Sequence, residues 1–323
     1  MKRRRVKKQV YVFGILFILL IVSAVFGIRY LIYRGTNEYK LKKLGYTEEE
    51  TTLIQTLEKE QVDKVLSLEY DLLIPRFMKE KYFIFDNLDR YLAYQKKEND
   101  EDLTHVVSMV NVKSDSEYYD SKVVLKTKTD LKDEYLILVN KFHYLDKDFA
   151  PDDIVDVKNW YAYGENEIRK TVYEQFRSMY NDAAKEDLKL IITSSYRDYD
   201  FQETLWNRYA NQKGEEWADS VAARPGYSEH QTGLSLDIVT DGEGSSMSTF
   251  DQTDEFKWLS KNAHKYGFIL RYPKGKEDIT GYSYESWHYR YVGVETATKI
   301  HDLGITFDEY YAYYQNEIEG DNL

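Results

Sequence analysis

The chain has 323 residues, more than one typical core needs, which suits one enzymatic domain with accessory parts. Its formal net charge of −12 is unevenly placed, because residues 1–34 hold eight Lys or Arg and no Asp or Glu, so the remainder is more acidic than the whole. Such a body lacks the basic footprint of a nucleic-acid binder, and the absence of cysteine excludes disulfides, thiolate catalysis and cysteine-based zinc sites.

Lys2, Arg3, Arg4, Arg5, Lys7 and Lys8 precede a 19-residue uncharged run from Val10 to Ile28. At about 1.5 Å per residue, a helix of that length nearly crosses a hydrocarbon core of about 30 Å. Residues 1–34 therefore read as a cytoplasmic basic tail and a single-pass anchor in the cell membrane, with the body of the chain exported. A cleaved signal peptide, cut near Val22-Ser23-Ala24, is the alternative. The length of the run and the basic, aromatic flank Arg29–Arg34 favour retention.

Residues 35–130 read as a mostly helical spacer or accessory domain. Thr47 followed by Glu48, Glu49 and Glu50 has the pattern of a capped helix start. Lys96–Asp102 reads as a charged turn and Val106–Val112 as a short strand. No chemistry stands out here; a stalk is the plain reading, and contact with a partner or the wall the alternative.

Residues 131–323 have a different texture. Tyr135–Val139 reads as a strand, Glu165–Ala184 as an amphipathic helix, Leu188–Thr193 as a strand, and Asp200–Gln212 and Glu215–Ala223 as helices. Leu234–Val239 reads as a strand, Asp254–Tyr266 as a helix, His288–Val292 as a strand and Val294–Leu303 as a helix. Helices and strands mix without strict alternation, which predicts an α+β domain.

Three stretches carry chemistry: Ser194-Ser195-Tyr196-Arg197, the run from Pro225 to Asp237, and the run from Glu285 to Gly293. His230 lies in a glycine-bounded loop, and Asp237 on the strand after it. Gly233 lets the backbone turn sharply between them. Leu234, Leu236 and Ile238 alternate with Ser235, Asp237 and Val239, so Asp237 projects from the face opposite the leucines. His288 opens another strand. Two imidazoles and a carboxylate suit zinc, though other divalent ions accept the same ligands. Three protein ligands and one open position are the pattern of a catalytic site. Glu285, three residues before His288, is placed to act as a base without binding the metal. Arg197 offers a fixed planar cation for an oxyanion or a substrate carboxylate. His105, His143, His264 and His301 read as structural.

Ser-Glu-His-Gln-Thr-Gly-Leu-x-x-Asp at residues 228–237 and Glu-x-Trp-His-x-Arg-Tyr-Val-Gly at residues 285–293 resemble the VanY-type D-alanyl-D-alanine carboxypeptidases, part of a zinc-peptidase superfamily. Ser194–Arg197 with Gln202, and Leu138-Val139-Asn140-Lys141 with Ala150–Val155, fit as well, so the resemblance spans roughly residues 131–315. It implies a compact zinc-peptidase domain around a short antiparallel sheet, with one zinc ion on His230, Asp237 and His288. Glu285 would be the catalytic base, Arg197 catalytic and substrate-binding, and Gln202 and Ser228 close to substrate. The implied substrate is a peptidoglycan stem peptide losing its C-terminal D-alanine. An L,D-carboxypeptidase acting on tetrapeptide stems is the alternative within the same chemistry, and a non-catalytic wall-binding module the alternative outside it. Ser286 and Ser235 depart from the family's usual proline and small apolar residue, and Ser286 predicts a slightly looser Glu285 loop.

Overall fold

The structure is a computed structural model that describes residues 2–112, 119, 123–125, 134–242 and 246–319. It divides into two compact units, Met1–Val107 and Ser108–Leu323. The expected boundary at 130/131 falls outside the described residues.

The first unit opens with α1 (Lys2–Arg34). Its segment Phe13–Arg34 is long and apolar enough to cross a membrane, and none of it is buried in the protein. Short helices follow: α2 (Asn37–Leu44), α3 (Glu48–Ile54), α4 (Lys59–Ser67), α5 (Leu73–Phe77) and α6 (Leu88–Glu98), and then α7 (Leu103–Asn111), which spans the division between Val107 and Ser108. Leu41, Ile54, Val65, Ile74 and Leu88 from five of them build a small core. The Thr47 start is a full capping box: Thr47 Oγ1 accepts from Glu50 N, and Glu50 Oε2 accepts from Thr47 N. The strand predicted at Val106–Val112 is instead helical as far as Asn111, within α7. Asp102 Oδ1 accepts from the amides of Thr104 and His105, which starts a helix. Leu103, Val106, Val107 and Val110 then share one helical face, so capping and period outweigh β-branched propensity.

The second unit mixes helices with small sheets. β1 (Val123–Leu125) and β2 (His143–Leu145) pair in parallel, and β3 (Ile154–Asp156) and β4 (Glu167–Arg169) antiparallel. Then come α8 (Lys170–Ala184), β5 (Ile191–Ser194), α9 (Tyr199–Lys213), α10 (Glu215–Val221), β6 (Ser235–Val239) and α11 (Asp254–Asn262). β7 (Phe268–Tyr272), α12 (Glu277–Thr280), β8 (Glu285–Tyr291), α13 (Val294–Leu303) and α14 (Phe307–Glu319) complete it. The main sheet is antiparallel, in the order β5-β6-β8-β7. Leu236 and Ile238 of β6 join Val172, Phe176 and Met179 of α8 and Leu259 of α11 in its core. A second cluster joins Ile269 of β7 to α13 and α14 through Ala297, Ile300, Phe307 and Tyr310.

Three predicted elements differ. Tyr135–Val139 forms no strand: Glu134–Leu136 is a 3-10 turn. The carbonyls of Tyr135 and Ile137 accept from Arg290 Nη2 at 2.9 and 2.7 Å, so a guanidinium takes the place of a neighbouring strand. The helix predicted from Glu165 begins at Lys170, because Glu167–Arg169 pairs with β3. Glu285 lies not in a loop but on β8, facing Tyr272 of β7. Ser286 is buried there, and its hydroxyl donates to Met247 O at 3.5 Å.

Candidate metal centre

Strand register brings the site together. Asp237 on β6 stands directly opposite His288 on β8, and opposite Ser194 on β5. Residues opposed across an antiparallel pair hold their Cβ atoms about 4.5–5.5 Å apart, so one carboxylate and one imidazole meet without any loop. His230 comes from the 3-10 turn Glu229–Thr232, which Ser228 caps and which Gly233 ends at φ 65°. A Cβ on Gly233 would lie 2.8 Å from Arg169 Cγ and 2.9 Å from Ile154 Cδ1, so both the conformation and the packing demand glycine.

His230 Nδ1 donates to the Ser195 carbonyl at 2.5 Å, which turns Nε2 inward. His230 Nε2 lies 3.5 Å from Asp237 Oδ1, and His288 Nδ1 lies 3.2 Å from the same oxygen. The two rings meet edge to face, with centroids 4.9 Å apart. Buried His230 Nε2 and Asp237 Oδ1 have no hydrogen-bond partner, an expensive arrangement unless something else occupies the point between them. Zinc bonds of about 2.0–2.2 Å in tetrahedral geometry place ligand atoms roughly 3.3–3.6 Å apart. The donor set and its spacing therefore fit a divalent ion. Among the described residues this is the one group of three such side chains, all buried, whose ligand atoms lie within 4.8 Å of one another.

Glu285 Oε2 lies 3.6 Å from His288 Nδ1, beside the candidate ligands. Burial pushes its carboxyl up to about 7; Asp237 adds to the rise, while His288 and Arg197 oppose it. Burial, then the Arg197 charge, pushes His230 down to about 4. For His288, burial acts downward but is outweighed by the nearby carboxylates of Asp237 and Glu229, which raise it to about 9. Burial would raise Asp237, yet the two histidines hold it well below the usual carboxylate range.

Arg197 Nη1 donates to Gln202 Oε1 at 3.3 Å, and Nη2 reaches Asp237 Oδ2 at 3.5 Å. Its Nε is buried and unpartnered. Gln202 Nε2 donates to Ala223 O at 2.8 Å, which fixes the amide that braces Arg197. Arg197, Gln202, Ser228, Asp237, Glu285 and His288 all line one cleft of about 400 Å³, whose walls include Phe201, Tyr209, Met247, Tyr272, Tyr282 and Trp287. Such a cleft suits a short peptide end.

Sequence reasoning missed Glu229, Arg271 and Arg290. Glu229 Oε1 accepts from Arg271 Nε and Arg290 Nη1, each at 2.7 Å, and all three side chains are buried. Arg271 also pairs with Asp308 of α14. The available signals were Glu229 and Arg290 inside the two quoted motifs, one and two residues from a candidate ligand.

The model of the VanY family, described as D-alanyl-D-alanine carboxypeptidase, matches residues 165–294. YodJ of Bacillus subtilis (strain 168) is 42% identical over 181 residues, covering 54% of this chain and 66% of that protein. The bifunctional D-Ala-D-Ala dipeptidase and D-Ala-D-Ala carboxypeptidase VanXYC of Enterococcus gallinarum is 32% identical over 183 residues, covering 55% of this chain and 94% of that protein. The solved structure of the LdcB LD-carboxypeptidase, described as revealing the molecular basis of peptidoglycan recognition, is similar at 38% identity and a TM-score of 0.55, covering 61% of this chain and 94% of that one. The chain spans between half and two thirds of the length of several curated relatives. With nearly the whole of VanXYC aligned and the candidate metal ligands and Glu285 inside the matched stretch, the chain belongs to the VanY family of D-alanyl-D-alanine carboxypeptidases.

Proposed function

We propose that this chain is a membrane-anchored, extracytoplasmic zinc carboxypeptidase that removes the C-terminal D-alanine from peptidoglycan stem peptides. The observation that carries the reading is the convergence of His230, Asp237 and His288 on one buried point, with Glu285 beside it at the base of an open cleft. His230 through Nε2, His288 through Nδ1 and Asp237 through Oδ1 would hold the ion. When bound, zinc supplies Lewis acidity, which makes water nucleophilic at neutral pH and polarises the scissile carbonyl. Glu285 accepts the proton of the attacking water and returns it to the leaving D-alanine nitrogen. Arg197, braced by Gln202, holds the developing oxyanion or the terminal carboxylate. Ser228 keeps the His230 turn in place at the cleft wall.

The apolar segment of α1, with its basic N-terminal side, supports a tether whose basic end stays in the cytoplasm. The helical region after it would act as a spacer between bilayer and wall. The similarity to the LdcB LD-carboxypeptidase supports a second reading, in which the same machinery trims tetrapeptide stems. Incubation of the purified protein with defined penta- and tetrapeptide stems, followed by mass spectrometry with and without a chelator, separates the two. D-Alanine lost from the pentapeptide supports the first reading. Loss from the tetrapeptide alone transfers the assignment to the second, and loss unaffected by chelator removes the metal from both.

A further inference from the structure

Glu229 has no part in the chemistry above, yet its carboxylate sits against a ligand. Arg271 and Arg290 both donate to its Oε1. That leaves Oε2, which accepts from Ser235 Oγ at 3.3 Å and faces His288 Nε2 at 3.5 Å. His288 Nε2 is buried and has no hydrogen-bond partner. The other ring nitrogen, Nδ1, faces Asp237 Oδ1 and Glu285 Oε2.

A neutral imidazole carries one ring proton, and the two tautomers are not equivalent here. With the proton on Nε2, the Nδ1 lone pair points at Asp237. With the proton on Nδ1, an N–H occupies the position a ligand lone pair needs. We propose that Glu229 is the positioning residue for His288: it takes the Nε2–H, fixes that tautomer and ring orientation, and so aims Nδ1 at the metal. The Ser195 carbonyl does the same for His230 through the opposite nitrogen. This inference rests on the reading of the site as a metal centre.

The surroundings explain how a carboxylate can hold this position. A buried, unpaired anion is costly, and the two guanidinium groups on Oε1 compensate it while leaving Oε2 free for His288. Arg271 is shared with Asp308, which in turn accepts from Asn140 Nδ2 at 2.8 Å. Two carboxylates and two guanidiniums thus balance in charge. Asn140 and Asp308 both lie outside the stretch that matches the family model.

The test compares zinc affinity, by competition with a chromophoric chelator, of the detergent-solubilised full chain and its Glu229→Gln and His288→Gln variants. Glutamine keeps the size but presents one oxygen, which the arginines claim. Glu229→Gln is expected to bind zinc 10–100-fold more weakly than wild type. Affinity within twofold of wild type overturns the proposal. Wild type that binds no zinc, or His288→Gln that binds as tightly, instead overturns the metal reading itself. Should Glu229→Gln fail to fold, the zinc-loaded wild type still decides. Its long-range 1H–15N histidine spectrum, with His288 assigned by the resonance lost in His288→Gln, is expected to show a protonated Nε2 and a metal-bound Nδ1. A metal-bound Nε2 overturns the proposal.

Discussion

At the scale of single residues, the proposed roles divide into metal binding and turnover. Glu285→Ala is expected to leave zinc affinity within a few-fold of wild type and to lower kcat by about 10²–10⁴-fold; paired zinc titration and D-alanine release check both halves. Glu285 is raised to about 7 by its burial, so the metal-free fold prefers it protonated. Its favourable contribution is complete below the unfolded value near 4.5 and is lost as pH rises through about 7. Metal-free Glu285→Gln should therefore exceed metal-free wild type in stability at pH 8, by roughly 1–3 kcal/mol, with the gap closing toward pH 4.5. Denaturant melts at both pH values measure this, and an equal gap at both would remove the burial argument. His288 offers a second readout. Raised to about 9 without metal, it is protonated at pH 7.5 and must be neutral to bind an ion. Zinc uptake at pH 7.5 should release about one proton more than at pH 10.5, as read by calorimetry in buffers of differing ionisation enthalpy.

At the scale of elements, alternation along β6 placed Leu236 and Ile238 in the core and Asp237 across from them, and that much was legible in the sequence. The pairing of Asp237 with His288 was not, because nothing local says which strands become neighbours. The Tyr135–Val139 stretch read as a strand because it is a short apolar run, and its residues do alternate between two clusters. Its hydrogen-bond partner is a guanidinium 153 to 155 residues away, and sequence periodicity cannot encode that. Glu229 escaped notice for the same reason: an acid in a loop reads as solvated until the arginines of β7 and β8 are seen to enclose it. Gly233 was read for its turn alone; the crowding by Arg169 and Ile154 appears only in three dimensions. Gly233→Ala is accordingly expected to destabilise the fold by about 2 kcal/mol or more, through left-handed strain plus overpacking. Thermal melts check this, and a change under 1 kcal/mol would show that the neighbours yield freely.

At the scale of the whole molecule, the apolar helix and the candidate metal centre lie in separate compact units. Removing residues 1–34 is expected to move the protein from the membrane fraction to the soluble fraction while leaving kcat/KM on a soluble stem peptide within about twofold. Fractionation and peptide assays measure the two effects, and a soluble wild type would argue for cleavage over anchoring.

The pairing of Arg271 with Asp308 bears on where the functional domain ends. Recombinant fragments trimmed to the family-matched residues 165–294 would retain His230, Asp237, Glu285 and His288. They would lack both Asp308 and Asn140, and so leave the Arg271 guanidinium without its α14 counter-charge. A homology boundary drawn at residue 294 thus cuts through a neutralised ion cluster, and a chain that keeps the whole cluster reaches from Tyr135 to beyond Asp308.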